Sequence, residues 1–218
     1  LVEVVVNYKL NNVGSNNKIT YTINSKGVLK VKNDLVYEGK LKDAQIPRFG
    51  MNFTIPKEYS DVVWYGRGPH ENYIDRKSSA FVGLYGSSVE DLGFDYSRPQ
   101  ENGYRTDVRW FKISNKDKIG FEVRGEPLIS FSAHYNTIED FDDGLIPQKA
   151  GEKLAVRQRL VKMQRKPVDV PKRDFISLNI DLKQMGVGGD NSWGARTLPK
   201  YTINPGNYSY SFTIIPFN

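Results

Sequence analysis

Cysteine is absent from this sequence. Its absence excludes disulfide scaffolds, thiolate zinc sites and cysteine nucleophiles, and leaves the redox compartment open. Histidine is nearly as scarce, with His70 and His134 the only two. A multi-histidine metal site is therefore excluded, and a Ser-His-Asp triad has only two possible centres. No apolar run approaches the ~18 residues that a helical membrane span needs. The stretch from Leu1 to Leu10 has neither the charged region nor the small-residue cleavage site of a secretory leader. It reads as a strand already in progress, so the chain is expected to be a fragment of something longer. Most of the chain also lacks an excess of either charge. The formal net charge is +6, yet between Lys149 and Arg173 nine basic residues stand against two acidic ones, which places +7 there and −1 everywhere else. A nucleic-acid binder would spread Lys and Arg along a face or a motif. Neither nucleic acid nor membrane is an expected partner.

What the sequence does have is Tyr and Phe, 13 and 11 of them, in segments that alternate with period two. Aromatic side chains of this kind suit half-buried strands, and their faces also suit stacking on sugar rings. Val2–Tyr8 and Lys18–Asn24 read as strands, Ser25-Lys26-Gly27 as a turn and Val28–Val31 as the returning strand. Further strands are expected at Gly50–Ile55, Asp61–Tyr65, Phe81–Tyr85, Arg105–Ile113, Gly120–Arg124, Leu128–Tyr135, Phe175–Leu182 and Tyr208–Ile215. Asn115 to Lys118 reads as a polar hairpin connection. Many short strands separated by turns predict an all-β sandwich or barrel rather than a βαβ fold. Two long loops, Pro69 to Ser79 and Ser87 to Gly103, interrupt the pattern, and loops of that length are usually functional or interface-forming. The basic stretch Ala150 to Lys166 fits neither period and reads as a short helix or an exposed hairpin.

Local chemistry is sparse. Gly66-Arg67-Gly68 and Gly186-Val187-Gly188-Gly189 lack the context of a phosphate or dinucleotide loop, and read as backbone needing positive φ or close approach. Glu139-Asp140 and Asp142-Asp143 read as acidic turns, because adjacent loop residues rarely converge to the ~5–5.5 Å that a retaining carboxylate pair needs. The most informative turn is Gly188-Gly189-Asp190-Asn191-Ser192-Trp193-Gly194. It presents a large aromatic between flexible ends, which either a neighbouring domain or a ligand must cover.

Five segments stand out in order along the chain: Ile46-Pro47-Arg48-Phe49-Gly50, the run from Trp64 to Arg76 (Trp-Tyr-Gly-Arg-Gly-Pro-His-Glu-Asn-Tyr-Ile-Asp-Arg), Arg98-Pro99-Gln100-Glu101-Asn102-Gly103, Arg105-Thr106-Asp107-Val108-Arg109-Trp110 and Met185 to Trp193. Together they resemble the C-terminal domain of the large bacterial β-galactosidases of glycoside hydrolase family 2. The resemblance implies an antiparallel supersandwich related in fold to galactose mutarotases. It implies a single domain over 1–218, truncated at its N-terminus because an Arg-x-x-Thr-Asp-Asn stretch is missing. A basic insertion at 144–166 would serve as an edge hairpin, a subunit contact or a flap. In such enzymes a retaining pair of glutamates lies in a separate (β/α)₈ barrel, so this piece alone is expected to be inactive. Its implied substrate-binding residues are Trp193, as a platform for a β-galactoside, with Asp190 and Asn191 shaping the loop. No cofactor is implied here, and Mg and Na ions would be bound by other domains. The implied partners are those domains and further copies in a homo-oligomer, in bacterial cytoplasm or periplasm. Two other readings stay open: a stand-alone carbohydrate-binding module, and a mutarotase-like epimerase using His134 with Glu139.

Overall fold

The computed structural model describes residues 1–11, 14–39, 45–141, 166–191 and 195–218. Trp193 and, apart from Lys166, the basic stretch 144–166 lie outside the described residues. Ten strands follow one another: β1 (Val2–Leu10), β2 (Ser15–Ile23), β3 (Leu29–Tyr37), β4 (Arg48–Pro56), β5 (Asp61–Gly68), β6 (Phe81–Ser88), β7 (Arg105–Ser114), β8 (Gly120–His134), β9 (Phe175–Gln184) and β10 (Tyr208–Phe217). All named pairings are antiparallel, in the order β1-β2-β3-β10-β8-β7-β5-β6, with β9 pairing both β4 and β8. The all-β class expected from the period-two pattern is the observed one, and so is the antiparallel pairing implied by the resemblance.

Two layers arise from one sheet because β8 changes partner along its length. Gly120–Glu126 pairs with β10, whereas Ser130–His134 pairs with β9. The alternation predicts two strands here, separated at Gly125–Pro127. The chain runs through instead, and Pro127, which has no N–H to give to a ladder, marks the point where the partner switches. The β4–β9 pair is thereby folded over the β3–β10 pair. Phe49 of β4 packs on Tyr208 and Tyr210 of β10 at 5.9 and 5.5 Å, and Phe53 meets Phe212 edge-on at 5.9 Å, although β4 and β10 share no hydrogen bonds. Below β5 and β7, Phe131 stacks on Phe111 at 4.5 Å and meets Trp64 edge-on at 6.1 Å. These aromatics belong to one core cluster that draws on β2 through β5 and β7 through β10.

Ser87 to Gly103 is less loop-like than its composition implies. It contains a one-turn helix, α1 (Val89–Leu92), whose N-cap Ser88 accepts from the Asp91 amide at 3.1 Å while Val89 and Leu92 are buried. Strand β9 is buried on both faces from Ile176 to Asp181. Ile176, Leu178 and Ile180 point into the core. The alternate residues Ser177, Asn179 and Asp181 are also buried, and the loops that carry the quoted motifs approach this polar face.

Candidate functional site

The motif segments meet at one end of the sandwich and are hydrogen-bonded to one another. Its deepest point is Asp181 on β9, fully buried, which accepts from the Tyr104 hydroxyl at 3.0 Å and lies 3.3 Å from Arg48 Nε. Arg48 also donates through Nη2 to Glu101 at 2.8 Å and to Gln184 at 2.6 Å. Burial pushes the Asp181 carboxyl up to about 7, with Arg48 opposing the rise. Burial likewise raises Glu101, again against Arg48. Asp181 has room because residue 50 is glycine: a Cβ there would lie 1.8 Å from its Oδ1.

The loop after β5 supplies the second layer. Glu71 accepts from the Gly103 amide at 2.7 Å and from the hydroxyls of Tyr73 and Tyr96. Asn72 is fully buried and makes four bonds: its amide donates to the Tyr104 carbonyl, its Oδ1 accepts from the Thr106 amide and hydroxyl, and its Nδ2 donates to the His70 carbonyl. The Tyr73 ring stacks on Tyr104 at 5.7 Å. At the loop's exit, Arg67 donates to Asp107 and to the carbonyls of Lys77 and Ala80. Burial would raise Asp107, but hydrogen bonds from Arg67 and Lys77 hold it below the usual carboxylate range. Arg105 is 3 % exposed, with its guanidinium 5.3 Å from the Trp64 ring centroid; burial lowers it to about 10, while Glu71 works the other way.

The third layer is the glycine-rich loop. It leaves β9 through Met185, whose amide donates to the Pro47 carbonyl at 2.9 Å, and Gly186, whose amide donates to Tyr201 at 2.8 Å. Gly188, at φ +66°, donates to Asp75 Oδ2 at 2.8 Å. Thr197 returns a hydroxyl to the Gly186 carbonyl at 2.7 Å, and Asn191 Oδ1 accepts from Ala195 at 3.2 Å. The turn that carries Trp193 is thus tied to the loop after β5 on its N-terminal side by Asp75, and closed on itself by the Asn191–Ala195 and Thr197–Gly186 bonds. Asp190 and Asn191 are exposed. These segments are recognisable as motifs in the sequence, but the bonds between them are not. Asp75 and Gly188 are 113 positions apart, and Arg48 and Gln184 136.

The carboxylates gathered here are engaged with neighbouring segments, although Asp75 Oδ1 and Asp181 Oδ1 find no hydrogen-bond partner among the described residues. Glu71, Asp75, Glu101 and Asp181 each accept at least one hydrogen bond from a neighbouring segment, so they serve to join the loops. The histidines are similarly engaged. His70 Nε2 lies 3.0 Å from Ser79 Oγ, and no described carboxylate hydrogen-bonds the other ring nitrogen, so no triad forms. His134 Nε2 rests on the Asn102 carbonyl at 2.9 Å, and burial lowers its pKa. The cavities that His134 borders are lined without Glu139, which is exposed on a 3₁₀ turn. The epimerase pairing is not favoured by this arrangement. Asp140, beside Glu139, is an internal anchor: it accepts the Thr137 amide and pairs with Arg173. Among the described residues no cluster of three His, Asp or Glu is placed to hold a metal ion.

Residues 2–214 match the family described as beta galactosidase small chain. A β-galactosidase of Priestia megaterium is 35% identical over 216 residues, covering 99% of this chain and 19% of that protein. Those of Halalkalibacterium halodurans and Streptococcus thermophilus are 32% and 29% identical, covering 85% and 92% of this chain but 17% and 18% of their own. The chain thus spans about a fifth of the length of the curated relatives it matches. Among solved structures, a GalM/aldose epimerase homologue from C. elegans aligns with a TM-score of 0.41 at 10% identity, over 100% of this chain and 65% of that one.

Proposed function

The chain belongs to the β-galactosidase small-chain family, and from that premise we propose that it forms the C-terminal sandwich of a retaining family 2 β-galactosidase. In this reading it completes the galactoside pocket without supplying the catalytic carboxylates, which lie in a separate barrel domain. The observation that carries the proposal is the anchoring of the Gly186–Ala195 loop to Asp75. A turn that has to present an indole to a sugar needs a fixed base, which the Gly188–Asp75 bond supplies and the Asn191–Ala195 bond closes. Trp193 is the platform in this proposal, and Asp190 and Asn191 shape the turn that carries it. The internal engagement of Glu71, Asp75, Glu101 and Asp181 supports assigning acid and nucleophile elsewhere. The Mg and Na ions implied for such an enzyme belong to its other domains, which are also the partners of this one. Strand β1 exposes Val2, Val4, Val5 and Tyr8, apolar surface of the kind that a neighbouring domain or subunit covers.

In the full-length enzyme, Trp193→Ala is expected to raise KM for lactose about tenfold, equivalent to ~1.4 kcal/mol of lost binding. The kcat should change much less, because the platform binds ground state and transition state alike. Asp75→Ala should reproduce the direction of that effect at smaller size by releasing Gly188, whereas Asp75→Asn keeps an acceptor oxygen and should largely restore KM. Unchanged lactose kinetics in Trp193→Ala would refute the assignment.

A further inference from the structure

A cavity of about 380 Å³ opens between the loop after β5, the end of β6 and helix α1. Trp64 and Arg105, both almost fully buried, form its floor, and Leu92 and Phe94 stand in its wall. Arg105 is the unusual member. Its Nη1 donates to the Leu92 carbonyl at 3.2 Å, and its Nε is sealed in without a partner. Nη2 has no partner among the described residues either, but it is not sealed, and so it is the nitrogen of this guanidinium that a ligand in the cavity can reach. No described carboxylate pairs with it. Glu71, the acid whose charge acts most on Arg105, is already engaged by the Gly103 amide, by the hydroxyls of Tyr73 and Tyr96, and by Arg76 at 3.5 Å. Burial lowers the guanidinium only to about 10, so the floor carries a positive charge at neutral pH. A buried cation without a counter-ion costs free energy, and the Trp64 ring beside it offsets only part of that cost.

These groups define what fits. A cation would meet the guanidinium. A neutral sugar could accept from Nη2 but would leave the charge uncompensated. A doubly charged phosphate would bring excess negative charge up to Glu71 and to Asp91, which is exposed at the rim and held by the Ser88 hydroxyl at 2.6 Å. One carboxylate group matches the one unpaired charge, and its oxygen accepts from Nη2 in a charge-assisted bond. The wall suits the remainder of such a molecule. Phe94 is 60 % exposed, an apolar surface that a flat hydrocarbon body would cover. The volume also lies within the ~300–1,000 Å³ of small-molecule sites. From these observations we infer that the cavity over Arg105 is a binding site for a small organic monocarboxylate, which pairs with Arg105 and lays its apolar body along Leu92 and Phe94. It is distinct from the platform at Trp193.

The inference is tested on the intact protein that carries this chain. Benzoate, benzamide and galactose are each titrated while the methyl resonances of Leu92 are followed by NMR. Benzoate is expected to shift them saturably. Benzamide has the same shape without the charge and should bind about tenfold more weakly, the loss of one charge-assisted hydrogen bond. Arg105→Met should abolish benzoate binding. Phe94→Ala, at an exposed position, should weaken it about threefold through lost apolar contact, and serves if Arg105→Met does not fold. The inference is overturned if benzoate leaves the Leu92 methyls unshifted up to its solubility limit. It is equally overturned if benzamide or galactose binds as tightly as benzoate, or if the substituted proteins that fold bind benzoate with an unchanged midpoint. The lactose kinetics of Trp193→Ala are read separately, so the platform and the cavity can fail independently.

Discussion

Gly50→Ala is expected to remove about 3 kcal/mol of folding stability, at the upper end of what overpacking one methyl costs. The added carbon would lie 1.8 Å from Asp181 Oδ1, 2.5 Å from its Cγ and 2.8 Å from its Cα. Rotating the Asp181 side chain relieves the first two contacts but not the third, because the Cα belongs to the paired strand. Position 50 is also where the β4–β9 register shifts, between Phe49 and Gly50, so the ladder there is already interrupted. Any retreat of Asp181 would break its bonds with Tyr104 and Arg48 and leave Arg48 with Glu101 as its one described ion-pair partner. Domains of this kind are stable by only about 5–15 kcal/mol, so urea unfolding should show a clearly lowered midpoint with little change in slope. A midpoint equal to that of the parent chain would mean that the strands separate here at no cost.

The same position shows what could be read in advance and what could not. Alternating residues predict the strands because their burial is set locally by the pleat, and most of the expected strands lie within observed ones. The exceptions have physical reasons. Strand β3 continues to Tyr37 although the sequence pattern predicts its end at Val31, because Asn33 takes an inward position where an apolar residue would be the recognisable signal. In β9 the alternation of Ile176, Leu178 and Ile180 with Ser177, Asn179 and Asp181 looks like a strand with one wet face. The polar face is buried as well, bonded to Asn52, Ser132 and Tyr104, with Asp181 Oδ1 alone among the side-chain oxygens of Ser177, Asn179 and Asp181 left without a described partner. Nothing in a period of two distinguishes a polar face that meets water from one that meets polar loops. The glycine-rich turn and the segments around Glu71 and Glu101 were visible as unusual runs. That Asp75 holds Gly188, or that Arg48 reaches Glu101, depends on pairings between distant loops which no local pattern encodes.

Asp181 also makes stability depend on pH in a direction opposite to that of an ordinary ion-paired carboxylate. In the unfolded chain an aspartate titrates near 3.9, whereas burial moves Asp181 to about 7 in the fold. Between those values the folded protein holds a proton that the unfolded chain has released. The contribution is therefore fully present below the unfolded value and is lost as pH rises through about 7. A shift of roughly three units corresponds to on the order of 4 kcal/mol. Glu101, also raised, acts in the same sense at its own range, while His134, lowered by burial, acts in the opposite sense. Comparison with Asp181→Asn isolates the aspartate, since asparagine keeps an oxygen for Tyr104 and does not titrate. The parent chain should lose stability between about pH 5 and pH 8 relative to the variant, which should then equal or exceed it at the alkaline end. Parallel stability profiles across that window would mean that Asp181 is ionised in the fold, with Arg48 outweighing its burial.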